Sequence, residues 1–239
     1  MMKKSTALLL ISLAALLFPP GAFADKRTYI WTYEYKTVEK GRGEVEYYFT
    51  LSTPDIETLK GTMGSEHQIE LEIGMNERFD FSIYQVFEQK TGEKFEYKKF
   101  KLRSRYKIGE KGQFILDPLI YMEYKGIPDF SEHEIELKLI LARDMRRFNI
   151  SLNPIFEFEQ KEKWEFKPEY TMGMSYEINK ILNVGLEVKG SEYGHYIGPV
   201  ISHGKENLWI ALGTAFKIAE IEAGKPEFQI RMILGIELK

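Results

Sequence analysis

Five basic side chains recur at every second position along one short stretch: Lys99, Lys101, Arg103, Arg105 and Lys107. In an extended strand successive side chains leave opposite faces, so these five share one face. Like charges stacked this way repel unless acids or an anionic ligand compensate them. Acidic pairs with the same spacing stand at Glu44 and Glu46, Glu70 and Glu72, Glu134 and Glu136, and Glu157 and Glu159. Asp80, Glu123, Lys125, Glu165, Lys167, Glu169, Glu187, Lys189, Arg231 and Glu237 add to the set. Charges arranged in this way can orient and pass small polar or anionic solutes through a wet passage. They can equally interlock as salt bridges that stiffen a narrow barrel and fill it. Both readings rest on the same residues.

Other chemistry finds less support. The chain has no cysteine, which excludes disulfide staples, thiolate metal ligands and thiol nucleophiles. No G-x-S-x-G, phosphate loop or Cys/His cluster is present. An outer-membrane lipid-modifying enzyme, a lipase or deacylase, is the rival class with the weakest support. Ser65, Glu66 and His67 are adjacent, as are Ser131, Glu132 and His133, but neighbouring strand residues point to opposite faces and cannot form a triad. His67, His133 and His195 each open a strand after a loop, four strands apart. Around a closed barrel they diverge, whereas metal ligands must converge to about 2.1 Å of one ion. They read as interface residues near lipopolysaccharide head groups, with His203 in a solvated turn. No catalytic residue, metal or cofactor is expected, and a net charge of −3 gives no support to nucleic acid.

The elements that position the charges are strands. Trp164 to Ile178 places Trp164, Phe166, Pro168, Tyr170, Met172, Met174, Tyr176 and Ile178 on one face, and Glu165, Lys167, Glu169, Thr171, Gly173, Ser175 and Glu177 on the other. So long a strand, with an aromatic–aliphatic–aromatic outer face, is the pattern of a lipid-facing barrel strand with its polar face toward a lumen. Mean hydropathy of −0.32 does not argue otherwise, because half of each such strand stays polar.

Further alternating segments run over 44–53, 68–75, 79–88, 99–108, 116–125, 133–142, 148–159, 182–189, 195–202, 207–216 and 227–239. With Trp164–Ile178 they make twelve, joined alternately by short polar turns and longer links. The expected fold is all-β: a transmembrane, antiparallel, up-and-down barrel of about twelve strands, occupying residues 44–239 and lying in the bacterial outer membrane. Twelve is even, so with the last strand ending in the periplasm the first, at Glu44, also starts there. Residues 25–43, with Tyr29, Trp31, Tyr33 and Tyr35 in alternation, form a thirteenth extended segment that parity keeps from crossing. It is expected in the lumen or at the periplasmic rim. Prolines 118, 154, 168 and 199 fall inside strands, where each removes a ladder donor.

Residues 1–24 read as a signal peptide: Lys3 and Lys4, an apolar run to Phe18, then Ala22-Phe23-Ala24 before Asp25. The expected partners are outer-membrane lipid and lipopolysaccharide, the barrel-assembly machinery and small solutes. The lumen residues to which solute contact is assigned are Lys99, Lys101, Arg103, Arg105, Lys107, Glu70, Glu72, Glu134, Glu136 and Arg231.

The phrases TYEYKTVEKGRGEVEYYFTLSTPD, EIGMNERFDFSIYQVFEQ, FKLRSRYKIGEKG, DFSEHEIELKLILARDMRRFNISLNPIFEFE, GLEVKGSEYGHYIGPVIS and FQIRMILGIELK span most of the chain after its leader. Together they resemble a group of Gram-negative outer-membrane barrels similar to porin-like transporters of aromatic-compound (phenol) degradation pathways. The resemblance implies a barrel and supplies no catalytic motif. Such barrels commonly end on an aromatic residue read by the assembly machinery, whereas this sequence ends Leu238-Lys239 behind an intact alternating tail.

Overall fold

The structure is a computed structural model describing residues 26–160, 163–205, 207–220 and 225–238. The signal peptide read at 1–24 lies outside the described residues. Twelve antiparallel strands close into one barrel: β1 (Gly43–Thr53), β2 (Gly64–Asn76), β3 (Phe79–Gln89), β4 (Glu96–Lys107), β5 (Asp117–Gly126), β6 (His133–Met145), β7 (Phe148–Gln160), β8 (Trp164–Asn179), β9 (Leu182–Ser191), β10 (Gly194–Lys205), β11 (Leu208–Glu220) and β12 (Phe228–Leu238). Each strand pairs with its sequence neighbours, and β1 closes on β12 from Gly43↔Leu238 to Thr53↔Phe228. The strands are those expected from the alternation, lengthened mainly at one end. β2 begins at Gly64 and β4 at Glu96, where polar side chains interrupt the apolar pattern while the backbone ladder continues.

One end carries two-residue turns at 77–78, 146–147 and 180–181, the β10–β11 connection and a longer link at 108–116; the other carries the links 54–63, 90–95, 127–132 and 192–193 and the β7–β8 and β11–β12 connections. These are called here the turn end and the loop end. His67 sits three residues into β2 instead of opening it, and His203 lies in β10, exposed and paired with Ile210, instead of in a turn. Polar residues at the end of β10 hide the strand's continuation, because the backbone can stay laddered after the apolar pattern stops.

The side chains divide as the alternation requires. On β8, Met172 and Met174 are exposed while Thr171 and Ser175 are buried. Exposed Ile69, Leu71, Ile83, Leu102, Ile120, Met122, Leu137, Leu152, Leu186, Ile201 and Leu212 continue a greasy belt around the outside. A contiguous apolar surface of that extent is foreign to a water-soluble monomer and suits acyl chains. Charged Glu70, Glu72, Asp80, Arg103 and Glu187 are buried on the inside.

The four prolines cause no conflict. Pro118 lies beyond the last β4–β5 pair and Pro168 beyond the end of the β8–β9 ladder. Pro154 and Pro199 fall in gaps of the β6–β7 and β10–β11 registers. In each case the missing N–H belongs where one neighbour offers no ladder partner.

Candidate functional site

The lumen is occupied at mid-height by residues 26–42. This segment forms no ladder with the barrel; it enters from the turn end, bends at 30–33 and returns to the turn end before β1. Its shape is held from within. Glu34 accepts the Thr28 N–H at 2.8 Å and the Thr28 hydroxyl at 3.1 Å, while Lys36 Nζ donates to the Lys26 carbonyl at 2.7 Å and pairs with Glu34 at 3.1 Å.

Wall residues hold the bend. The Glu187 carboxylate on β9 accepts three successive backbone N–H groups, from Ile30 at 2.9 Å, Trp31 at 3.0 Å and Thr32 at 2.7 Å. Asn153 accepts the Tyr33 N–H at 2.6 Å and donates to its carbonyl at 3.1 Å. Tyr29 donates its hydroxyl to Asn149 Oδ1 at 2.9 Å, Tyr35 donates to the Gly109 carbonyl at 2.8 Å, and Asp80 accepts the Val38 N–H at 3.0 Å. Two wall glycines make room: a Cβ at Gly173 would stand 2.5 Å from the Tyr29 ring, and one at Gly213 would stand 2.5 Å from Ile30 Cδ1.

Apolar wall residues complete the seat. Tyr29 and Ile30 pack with Val200, Trp209, Ala211 and Ile233, while Tyr35, with Tyr33 against it, packs with Leu119, Tyr121 and Ile140. The sequence reading treated the inward face as a charge carrier and missed this seat. The signal was there in β11, where Trp209, Ala211, Gly213 and Ala215 make the inward face as apolar as the outward one. A wet passage has no use for that, but a packed insert does.

The basic ladder separates by depth. Lys99, near the loop end, is 3.4 Å from Glu134, and Lys101 is 3.6 Å from Glu123. Arg103 is fully buried against Glu70 at 2.8 Å and also against Glu72. Arg105 pairs with Glu72 at 2.7 Å and Asp80 at 2.6 Å. Lys107 is half-buried at the turn end of β4. The other acids gather around Lys125, whose ammonium reaches Glu136 at 3.0 Å, Glu157 at 2.9 Å and also Glu134. Arg231 donates to Thr50 Oγ1 at 2.7 Å and is 3.4 Å from Glu66. The carboxylate groups Glu46–Glu70–Glu72 and Glu134–Glu136–Glu157 are close enough to share a cation. Each already holds one: Arg103 bridges Glu70 and Glu72 while Arg27 stands 3.6 Å from Glu46, and Lys125 serves the second group. Buried ions need such partners.

Open chambers lie on both sides of the insert. Toward the loop end a cavity of about 340 Å³ is lined by Trp31 and Tyr33 of the insert and by Lys101, Lys138, Lys189 and Arg231 of the wall. Toward the turn end a cavity of about 450 Å³ is lined by Lys26, Lys36, Lys111, Arg146, Arg147 and Lys180 with Glu34, Asp144 and Glu177. Cations outnumber acids in both linings. Between the loops, Asp129 accepts the Ser131 N–H at 3.1 Å and its hydroxyl at 2.9 Å, which holds the Asp129 carboxyl below the usual carboxylate range.

The closed ring of twelve strands, greasy outside and charged inside, decides the class. The fold is that of the outer-membrane porins. The KdgM porin in complex with disordered oligogalacturonate aligns at TM-score 0.59 and 11% identity, over 82% of this chain and 98% of that one. An outer membrane channel from Pseudomonas putida F1 aligns at TM-score 0.64 and 9% identity, over 88% and 100%. The NanC porin aligns at TM-score 0.53 and 10% identity, over 82% and 99%. No family model matches the sequence, and no curated protein matches it. At these identities the likeness is one of fold alone.

Three of the four histidines lie on the outer wall beside a tyrosine. Tyr47 OH is 2.6 Å from His67 Nδ1, Tyr124 OH is 2.7 Å from His133 Nδ1, and Tyr170 OH is 3.1 Å from His195 Nδ1. Ser65 Oγ reaches His67 Nε2 at 3.3 Å, a same-face contact across two positions that the triad argument passed over. The ring's other nitrogen meets a phenol and not an acid, and Glu66 is turned toward Gln68 and Arg231.

Proposed function

We propose that this barrel spans the bacterial outer membrane, turn end in the periplasm and loop end outside. Its lumen is a passive conduit for small polar or anionic solutes, closed at rest by residues 26–42. The observation that carries this reading is the pair of chambers rich in cations, above and below an insert held by hydrogen bonds that can be broken without breaking the barrel. A barrel built only for stiffness has no need of chambers at both ends. The expected lumen contacts divide: Lys99, Lys101 and Arg231 face solvent near the loop end, whereas Arg103 and Arg105 with Glu70 and Glu72 brace the wall. Glu134 and Glu136 with Lys125 brace the adjoining wall of β5 and β6.

The exterior supports the rest of the reading. The Tyr–His pairs and the rings of Phe87, Phe95 and Tyr97 form an aromatic girdle near the loop end, at the level where lipopolysaccharide head groups would meet it. Insertion requires the barrel-assembly machinery. The link to aromatic-compound pathways rests on the sequence phrases quoted above.

The test is a planar bilayer with the protein under a salt gradient. A conduit with this lining gives anion-preferring reversal potentials, and Lys101→Gln with Arg231→Gln moves them toward cations. The second reading, a barrel filled by salt bridges, is favoured by the Arg103–Glu70 and Arg103–Glu72 pairs at full burial. It requires zero conductance even when the insert is removed.

A further inference from the structure

Among the wall cations lining the loop-end chamber, Lys101 has Glu123, Lys138 has Glu136 at 2.9 Å and Arg231 has Glu66. Lys189 has no carboxylate partner among the described residues. Its ammonium donates to Gln229 Oε1 and stands 4.3 Å from the Trp31 ring centre and 5.2 Å from that of Tyr196. The Arg231 guanidinium lies 5.7 Å from the same Trp31 ring. Two cations from β9 and β12 therefore converge on one indole, and that indole belongs to the insert. Glu66, the acid nearer Arg231, is only at 3.4 Å and more than a third exposed.

We infer that Lys189, Arg231 and Trp31 form a subsite for a small carboxylate that carries a ring. The carboxylate completes the unfilled ammonium of Lys189 and the loosely held guanidinium of Arg231, and the ring lies against Trp31 and Tyr196. An ammonium with one neutral acceptor retains two N–H donors, and a charged acceptor is the strongest partner it can take. Aromatic faces suit either an aryl ring or the C–H face of a sugar, so aryl acids and sugar acids share the chemistry required. A chamber of about 340 Å³ has room for one such molecule, not for a polymer folded on itself. Because Trp31 is carried by the insert, an occupied subsite also rests on the element that closes the lumen.

This deepens the conduit reading and rests on it for the sense of the chamber as an entrance. The experiment is calorimetric titration of the full chain, folded in detergent micelles, with benzoate, glucuronate, acetate and benzamide. Benzoate, glucuronate or both bind saturably; acetate binds at least about tenfold more weakly, and neutral benzamide does not bind. Benzoate alone identifies an aryl-acid site, and glucuronate alone a sugar-acid site. Lys189→Gln weakens the ring-bearing acid by about tenfold or more, the scale of one charged hydrogen bond. Trp31→Leu brings benzoate or glucuronate to within about twofold of acetate. Arg231→Gln, which can keep a contact with Thr50, is the second variant if Lys189→Gln loses its folded-barrel migration on gels. The inference is overturned if benzamide binds as well as benzoate, or if folded Lys189→Gln and Arg231→Gln proteins bind as the parent does. It is also overturned if no carboxylate binds below ~10 mM, the edge of useful affinity. Binding is read without a membrane, so zero conductance would remove the conduit and leave the subsite. Lost binding beside intact conductance would remove the subsite alone.

Discussion

Glu187 and Thr32 are joined by a 2.7 Å hydrogen bond from a backbone N–H of the insert to a carboxylate on the barrel wall. The same carboxylate takes the N–H groups of Ile30 and Trp31, so one side chain fixes three consecutive peptide units. A hydrogen bond to a charged group contributes about 1.5–3 kcal/mol. Loss of this acceptor also leaves buried donors unpaired. Glu187→Ala is therefore expected to speed amide exchange across residues 28–34 by at least about thirtyfold, a change of ~2 kcal/mol in local opening. Exchange in the barrel strands should stay as it was. Hydrogen–deuterium exchange in micelles reads both.

The notches at Gly173 and Gly213 give a second handle. A side chain at Gly213 would overlap Ile30, and one at Gly173 would overlap the Tyr29 ring. Neither overlap can be relieved without displacing the insert, since the wall is laddered on both sides there. Gly173→Val with Gly213→Val is expected to leave barrel formation intact and to expose residues 26–40 to protease, read by the cleavage pattern of the folded protein.

Ile30 Cγ1 stands 3.0 Å from the position of a Gly213 Cβ, which brings the two Cβ atoms within about 4.5 Å, inside the range a disulfide spans. The chain has no cysteine of its own, so Ile30→Cys with Gly213→Cys can form one intramolecular bridge only. Oxidation should yield that bridge in high proportion, seen as a mass loss of two hydrogens. It should also suppress any conductance, which reductant restores.

Arg103 makes a different prediction, about stability. It is fully buried and bridges Glu70 and Glu72. Removing one partner of such a group leaves charges stranded in a poorly solvated interior, at about 3–5 kcal/mol. Arg103→Met should lower the urea midpoint of the micelle-folded barrel accordingly. Replacing Arg103 together with Glu70 and Glu72 by apolar residues should recover much of the loss.

The barrel was legible because a period of two survives wherever one face must be greasy and the other wet, as along Trp164–Asn179. Its twelve strands and the inward direction of Lys99 to Lys107 follow from that alternation. Strand ends were not legible, because backbone pairing at Gly64–His67 and Ser202–Lys205 runs on where no apolar face is needed. Parity and the even strand count kept residues 26–42 from crossing, but their seat depends on long-range partners: Glu187 and Asn153 lie more than a hundred residues from the segment they hold. No local pattern announces such a contact. The nearest hint was the inward apolar face of β11, which serves packing and not passage.

The most direct measurement is single-channel recording of the full chain beside a variant lacking residues 25–40. The account predicts brief or rare openings for the full chain and long-lived, anion-preferring openings for the variant. Closed barrels of unchanged conductance in both would contradict it, because the lumen would then be shut by its own salt bridges and not by the segment lodged inside.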